Sequence, residues 1–552
     1  MKKQLLLLIN LLVILISVPM YATVQDSTFY YTIKAVPKKD RTDIEVSLRC
    51  TIHKDSMLTV FLPGDYYGVQ DLHKYVSSFE ADGGSKLQPV SDKLKRLVAP
   101  DNTGEVRVKY ILSYNPAELE DYTFGPNTGP GHFHLAFCQW MLRPANPEIS
   151  YPWKIEIGSP VKGWHYYSSL SGDPMQTEAR KSYYDLISYA LGGGSQFAKT
   201  FRVKDKPVHV FIRGNFSITK EDIFSSVEKI VNCQRSLFND YDFPFFNITI
   251  LEKGDNIAGT CVPNMFVCFV KPGITREELY YILSHEMFHV WLGQKIYFPN
   301  PPGEPINRFQ WVLEGLTDYC ARKILLEEKL VSRSYFIETV NRDLVNIADN
   351  PYRNAAFSKL CGMADSGRYG QAASKLQYYR GALISLGWEK RMDPAKNIFH
   401  LMNDLYQLAK PGEGIVEPAK FFELGTKYGL DIQADFEKYI LRGETIVPSA
   451  DAFGSDYTLA EKRIPSFSLG FNRDLSSKNG KLSGVDENGP AWRAGAREGM
   501  VFVSTRNTNR FGNNWSSVEP MELTVKIDGE EKVFRYFPHG SDMTLQLYSP
   551  KQ

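Results

Sequence analysis

The chain has 552 residues, 43% of them hydrophobic and 23% charged, with a formal net charge of +1. That length allows three or four domains, each with its own core. A charge so close to zero, with no basic cluster, excludes an electrostatic case for nucleic acid or an anionic membrane as partner.

Residues 1–22 read as a secretory signal: Lys2-Lys3, an apolar run from Leu5 to Val18 broken by Asn10 and Ser17, then Met20-Tyr21-Ala22 before Thr23. Loss of Lys2 and Lys3 with this leader takes the net charge to −1. The apolar run is short for a membrane span, and an uncleaved anchor is the alternative. No later stretch is long and apolar enough to cross a bilayer, so the expectation is a soluble exported protein, periplasmic or extracellular. No cysteine follows the apolar run, which argues against a lipid anchor. The seven cysteines (50, 138, 233, 261, 268, 320 and 361) would then meet an oxidising compartment. Their odd number leaves at least one thiol free within the chain; Cys261 and Cys268 could bridge, with buried free thiols the alternative.

Residues 23–200 alternate in the β manner, as in Phe29–Ile33, Ile44–Leu48, Leu58–Leu62 and Val106–Ile111. With turns such as Pro63-Gly64 and the run Gly125–Gly131, this predicts an N-terminal antiparallel β domain. His132 and His134 alternate on one strand, where packing explains them more simply than metal binding. Residues 201–445 mix strands and helices. Val208–Ile212 and Phe246–Leu251 read as buried strands, and a helix begins after Thr219, whose spacing to Asp222 suits a cap.

The chemistry concentrates at His285-Glu286-Met287-Phe288-His289, an H-E-x-x-H pattern in a helix that Thr275 can cap and Gly293 can end. Histidines at i and i+4 share one helical face, so both imidazoles reach one ion, best zinc, and Glu286 stands where it can take a proton from metal-bound water. Chance occurrence is the alternative reading of so short a motif. A third ligand is therefore needed, and Trp311-Val312-Leu313-Glu314-Gly315-Leu316-Thr317-Asp318-Tyr319 places Glu314 among apolar residues, where an acid requires a partner. Two histidines and one glutamate leave a position open for water, the catalytic arrangement of zinc. Asp318, one turn on, either accepts the free N–H of His285 or His289, or lies on a solvated helix face. From Trp311 to Arg442 the spacing predicts mainly helix, with Pro351–Gly370 as a loop that could shape the site. A linker at 446–465 leads to a small β domain over 466–552, closed by a hairpin at Thr524–Phe534.

H-E-x-x-H followed by W-x-x-E-G-x-T-x-Y resembles the gluzincin metallopeptidases, most closely the glycyl aminopeptidase family whose members carry a C-terminal PDZ domain. Tyr378-Tyr379-Arg380-Gly381 is similar to the Y-x-K-G stretch that holds the gluzincin catalytic tyrosine. The resemblance implies a multidomain chain: an N-terminal β domain, a thermolysin-like α+β zinc peptidase domain and a PDZ-like C-terminal domain. It implies one zinc ion, peptide or protein substrates, and Tyr378 (Tyr379 as fallback) donating to the oxyanion. It also implies a substrate-pairing strand ahead of the zinc helix, with Gly259 and Asn264 in substrate-binding positions. Where that family carries a Gly-Leu-Glu-His-like sequence, this chain has Gly259-Thr260-Cys261-Val262, without the acid. A free α-ammonium entering a partly dry cleft needs such an acid, so the resemblance implies metal-assisted amide hydrolysis rather than aminopeptidase activity as such. A true aminopeptidase with another amine anchor, and a non-catalytic peptide-binding scaffold, are the alternatives. Ser468-Leu469-Gly470-Phe471 resembles a PDZ carboxylate-binding loop, which would let Leu469, Gly470 and Phe471 capture a peptide C-terminus; Gly489–Met500 resembles the PDZ segment P-A-x-x-A-G-x-x-x-G-D, with Met500 in place of its Asp.

Overall fold

A computed structural model of the protein describes residues 28–52, 57–66, 69–99, 104–119, 124–254, 257–363, 368–506 and 520–551; the leader at 1–22 lies outside the described residues. The chain forms two compact units. One takes the chain up to Arg213 with Phe243–Thr249 and Val262–Met265; the other takes Gly214–Asp242, Ile250–Cys261 and Phe266–Gln552.

The first unit is built on a six-stranded sheet in the order Gln176–Lys181, Tyr151–Ile157, Phe29–Pro37, Thr42–Thr51, Glu105–Leu112, Val76–Asp82. Period-two burial decides which face packs: Phe29, Tyr31 and Ile33 turn inward, as do Ile44, Val46 and Leu48, and Val106, Val108 and Tyr110. Phe29 stacks on Trp153 with ring centres 4.6 Å apart. The sheet is antiparallel as expected in its other pairs, but Phe29–Ile33 runs parallel to Trp153–Ile157. Alternation reads the same in either direction, and the long chain between Pro37 and Tyr151 supplies the crossover that a parallel pair requires. Residues of a four-stranded and a three-stranded sheet join the same core, among them Val60, Leu97, Phe133 and Leu191. His132 and His134 are buried there; His132 Nε2 lies 2.8 Å from Asn127 Oδ1, and His134 Nδ1 lies 3.1 Å from the Tyr167 hydroxyl.

The second unit is mainly helical. Its principal helices are Lys220–Leu237, Arg276–Phe288, Thr317–Glu327, Arg333–Ala348, Arg368–Arg391 and Ile398–Ala409. Ahead of Arg276, Ala258–Val262 is an edge strand of its sheet. The stretch expected as a loop, Pro351–Gly370, contains a short helix at Phe357–Cys361, and Arg368–Arg391 begins inside it.

The expected linker gives way from Tyr457 onward to an 11-residue strand, Tyr457–Phe467, paired antiparallel with His539–Pro550. Its centre, Glu461-Lys462-Arg463, has no apolar alternation, so the strand owes its existence to a partner about eighty residues away in sequence rather than to local pattern. Asn341 holds this ribbon to helix Arg333–Ala348: its amide donates to the Tyr548 carbonyl at 2.9 Å and accepts from Tyr548 N at 2.8 Å. A separate three-stranded sheet, Val501–Arg506, Met521–Ile527 and Glu530–Tyr536, closes on its own small core of Leu469, Phe471, Leu482, Leu523 and Phe534. The hairpin turns at Asp528-Gly529, both with positive φ (53° and 88°), a turn whose twist matches that of the flanking strands.

Candidate metal centre and active site

The helix Arg276–Phe288 starts with a reciprocal cap: Thr275 Oγ1 accepts from Glu278 N at 3.2 Å, and Glu278 Oε2 accepts from Thr275 N at 2.9 Å. Every residue from Ile282 to Phe288 is buried. Its position is fixed by polar contacts as well as packing. Gln234 Nε2 donates to the Ser284 carbonyl at 2.9 Å, and Ser284 Oγ donates to the Ala321 carbonyl at 3.0 Å. The helix ends one residue sooner than the motif, so His289 is its C-cap, yet with φ −64° and its N–H on the His285 carbonyl it keeps helical register.

Three ligand atoms converge. His285 Nε2 and His289 Nε2 are 3.0 Å apart, and Glu314 Oε2 lies 3.4 Å from each. A tetrahedral ion with bonds of about 2.0–2.1 Å needs ligand atoms about 3.3–3.4 Å apart, so this triangle fits zinc and leaves the fourth position open. The opposite ring nitrogens are held. His289 Nδ1 is 2.9 Å from the Leu292 carbonyl, and His285 Nδ1 is 2.8 Å from Asp318 Oδ1, which directs both Nε2 atoms inward. Glu314 comes from a π-helical turn, Trp311–Leu316, just before helix Thr317–Glu327, and Gln310 Nε2 occupies its other oxygen at 3.0 Å.

Asp318 is 3% exposed and belongs to a buried network rather than a solvated face. Besides His285 it takes the Tyr281 hydroxyl, and Arg322 Nη2 at 3.0 Å; Arg322 Nη1 in turn reaches Asp343 Oδ2 at 2.5 Å. Burial alone would raise the Asp318 pKa, but the Arg322 and His285 charges outweigh it and hold the carboxyl down at about 2. The same balance acts on Glu314: burial raises it, and the two histidines bring it well below the ordinary carboxylate range. Asp318→Asn should weaken zinc binding about 10- to 100-fold, measured by chelator competition, because the amide leaves the His285 N–H less firmly held.

Glu286 is buried beside this triangle without being part of it. Burial pushes its carboxyl up in pKa, and the His285 and His289 charges pull it back. Its carboxylate packs against Gly259 on the edge strand; a Cβ there would lie 2.3 Å from Glu286 Cδ. Gly259 therefore touches the proposed base through its bare Cα. Cys261, two residues on, accepts from Gln294 Nε2 at 3.0 Å, and its thiol is raised well above its usual pKa by burial and then by the Glu286 charge. All seven cysteines are free, Cys261 and Cys268 among them. Asn264 sits at φ 57° in the turn after the edge strand, and its amide donates to the Ser169 carbonyl at 3.2 Å.

Tyr378 comes to the candidate metal site from helix Arg368–Arg391. Its ring is nearly parallel to that of His285, 7° between planes and 6.5 Å between centroids. Burial, and then the Glu314 charge, raise its phenol well above the usual pKa, so it is a hydrogen-bond donor at every physiological pH. Tyr379, the fallback, is buried. Two glycines bring Tyr378 and Glu314 together, and sequence reading passed over both. A Cβ on Gly315 would lie 2.4 Å from Gly381 Cα, and one on Gly381 would lie 2.0 Å from the Trp311 carbonyl oxygen. Each glycine directly follows or closely trails a chemical residue in its motif, E-G and Y-Y-R-G, and that adjacency was the available signal.

Leu469 and Phe471 belong to the small C-terminal core, with Gly470 between them in the chain. Gly470 has φ 74°, and its N–H donates to Ser468 Oγ at 3.1 Å; the carbonyls of Leu469 and Gly470 accept from the Tyr536 hydroxyl and Asp486 N.

Residues 278–384 match the M61 glycyl aminopeptidase family. An aminopeptidase N family protein from Idiomarina loihiensis shares the fold, with a TM-score of 0.65 at 14% identity over 95% of this chain and 98% of that one. An M1 zinc metallopeptidase from Deinococcus radiodurans gives a TM-score of 0.42 at 14% identity over 77% and 95% of the two chains. Yeast LTA4 hydrolase in complex with bestatin gives 0.43 at 13% over 77% and 69%. The family match spans the two histidines, Glu286, Glu314 and Tyr378, and on it this chain is a gluzincin-like peptidase, a peptide hydrolase that resembles the M61 glycyl aminopeptidases.

Proposed function

We propose that the protein is an exported zinc metallopeptidase in which His285, His289 and Glu314 hold the metal and Glu286 is the general base. The convergence of three ligand atoms at 3.0, 3.4 and 3.4 Å, with a buried carboxylate beside them that does not ligate, carries the reading. When bound, zinc supplies a Lewis acid that polarises the scissile carbonyl and lowers the pKa of water. Glu286 takes the proton of the attacking water on its carboxylate and passes it to the leaving amine. Tyr378 donates its phenolic hydrogen to the oxygen on which negative charge develops. The edge strand Ala258–Val262 offers unpaired backbone groups to an extended peptide, and Gly259 keeps that strand against the base.

Thr260, Cys261 and Val262 supply no carboxylate for a free α-ammonium. This favours peptides bound by their backbone, blocked or internal, over strict N-terminal trimming. Cleavage-site mapping on free and N-acetylated peptide mixtures decides the matter. Internal cuts in both sets, abolished by a chelator and restored by zinc, are expected. Release of single residues from free peptides alone would restore the aminopeptidase reading, and the lack of any zinc-dependent product would favour a scaffold. We further read residues 466–552 as PDZ-like, with Leu469, Gly470 and Phe471 lining a site for a peptide C-terminus. The left-handed Gly470 supports this, and titration with peptides ending in free acid or amide tests it. Export by the leader predicts a mature N-terminus at Thr23, read by N-terminal sequencing of the secreted protein.

A further inference from the structure

Lys375 lies one helical turn before Tyr378, and its Nζ sits 3.8 Å above the centre of the Tyr378 ring. That ring also lies parallel to the His285 imidazole, with 6.5 Å between centroids. Its charge also acts on the Glu286 carboxylate. Lys375 is half-buried, and among the described residues it forms no ion pair or hydrogen bond. A partly exposed ammonium over a ring, with no counter-ion beside it among the described residues, is free to take an anion as its partner. The opposite charge is missing where a substrate amine would need it, since Ala258–Val262 has no acidic residue. The acids around the metal site are already committed: Glu314 to the ligand triangle, Asp318 to His285 and Arg322, and Glu286 to the base position.

We infer that Lys375 is the specificity-determining charge of this cleft and that it selects peptides carrying a carboxylate close to the scissile bond. The inference rests on the peptidase reading, through the place of Tyr378 beside the reacting carbonyl. The carboxylate can come from an Asp or Glu side chain or from a free C-terminus.

The test uses the zinc-loaded full-length Glu286→Gln protein, which binds peptides without turning them over. Capped alanine-rich peptides differing only as Asp or Asn form one pair, and peptides ending in free acid or amide form the other. At least one acid-bearing member should bind about 10- to 100-fold more tightly than its neutral twin, as a charge-assisted hydrogen bond gives. The pair that shows the difference identifies the source. The preference should vanish in a further Lys375→Gln change and persist in Lys375→Arg. Equal binding of both members in both pairs overturns the inference, as does a Lys375→Gln effect that weakens neutral and acidic peptides alike, which would make Lys375 a support for Tyr378. Cleavage by the protein with Glu286 intact is a separate measurement: a carboxylate preference in binding with no peptide ever cut would sink the peptidase reading and leave the carboxylate site standing.

Discussion

Glu286→Gln is expected to keep one zinc per chain and to lose about 10²- to 10⁴-fold in kcat/KM, the range for removing a positioned general base. Zinc retention follows from the geometry, since the three converging atoms that could hold the ion belong to His285, His289 and Glu314 and none to Glu286. The amide has nearly the volume of the carboxylate and can still pack against Gly259, so the local fold should survive. What the amide cannot do is accept a proton. Metal content by elemental analysis and initial rates on a peptide found in cleavage mapping give the two halves of the result. Full activity with zinc still bound would show that the proton goes elsewhere.

Gly381→Ala is expected to be as damaging without touching any chemical group. The added methyl would stand 2.0 Å from the Trp311 carbonyl oxygen and 2.8 Å from Gly315 Cα, so helix Arg368–Arg391 and the π-turn carrying Glu314 have to separate. Backbone cannot rotate out of the way as a side chain can. Overpacking of this kind costs about 1–3 kcal/mol. The larger effect is on function, because the separation carries Tyr378 away from Glu314, and a shift of about 1 Å at a reacting centre costs about 10²-fold. Gly387→Ala on the same helix is the control. Nothing lies within 4 Å of its added methyl, so it should be neutral or gain about 0.5–1 kcal/mol from helix propensity. Thermal unfolding and kcat/KM of the two variants separate a packing defect from the general cost of substituting a helical glycine.

The sequence by itself determined what depends on residue type and short spacing. Histidines at i and i+4 share a face by helix geometry, so His285, Glu286 and His289 were legible at once, and Thr275 as a cap marked where their helix begins. Glu314 was legible because a carboxylate among apolar residues demands a partner. Inward-facing strand residues were legible by alternation, but the direction of Tyr151–Ile157 beside Phe29–Pro37 was not, because period two carries no direction. Only tertiary structure chose His285 over His289 as the partner of Asp318, closed the network through Tyr281, Arg322 and Asp343, and turned the expected linker into the strand Tyr457–Phe467. It alone gave Gly315 and Gly381 their meaning, since a missing side chain signifies nothing until another backbone comes to lie in its place. The division follows the range of the forces: helical registry, capping and alternation act over a few residues and leave a pattern in the chain. Close backbone approach, strand pairing and buried charge networks join residues tens to hundreds apart, and become definite only when the fold supplies the partner.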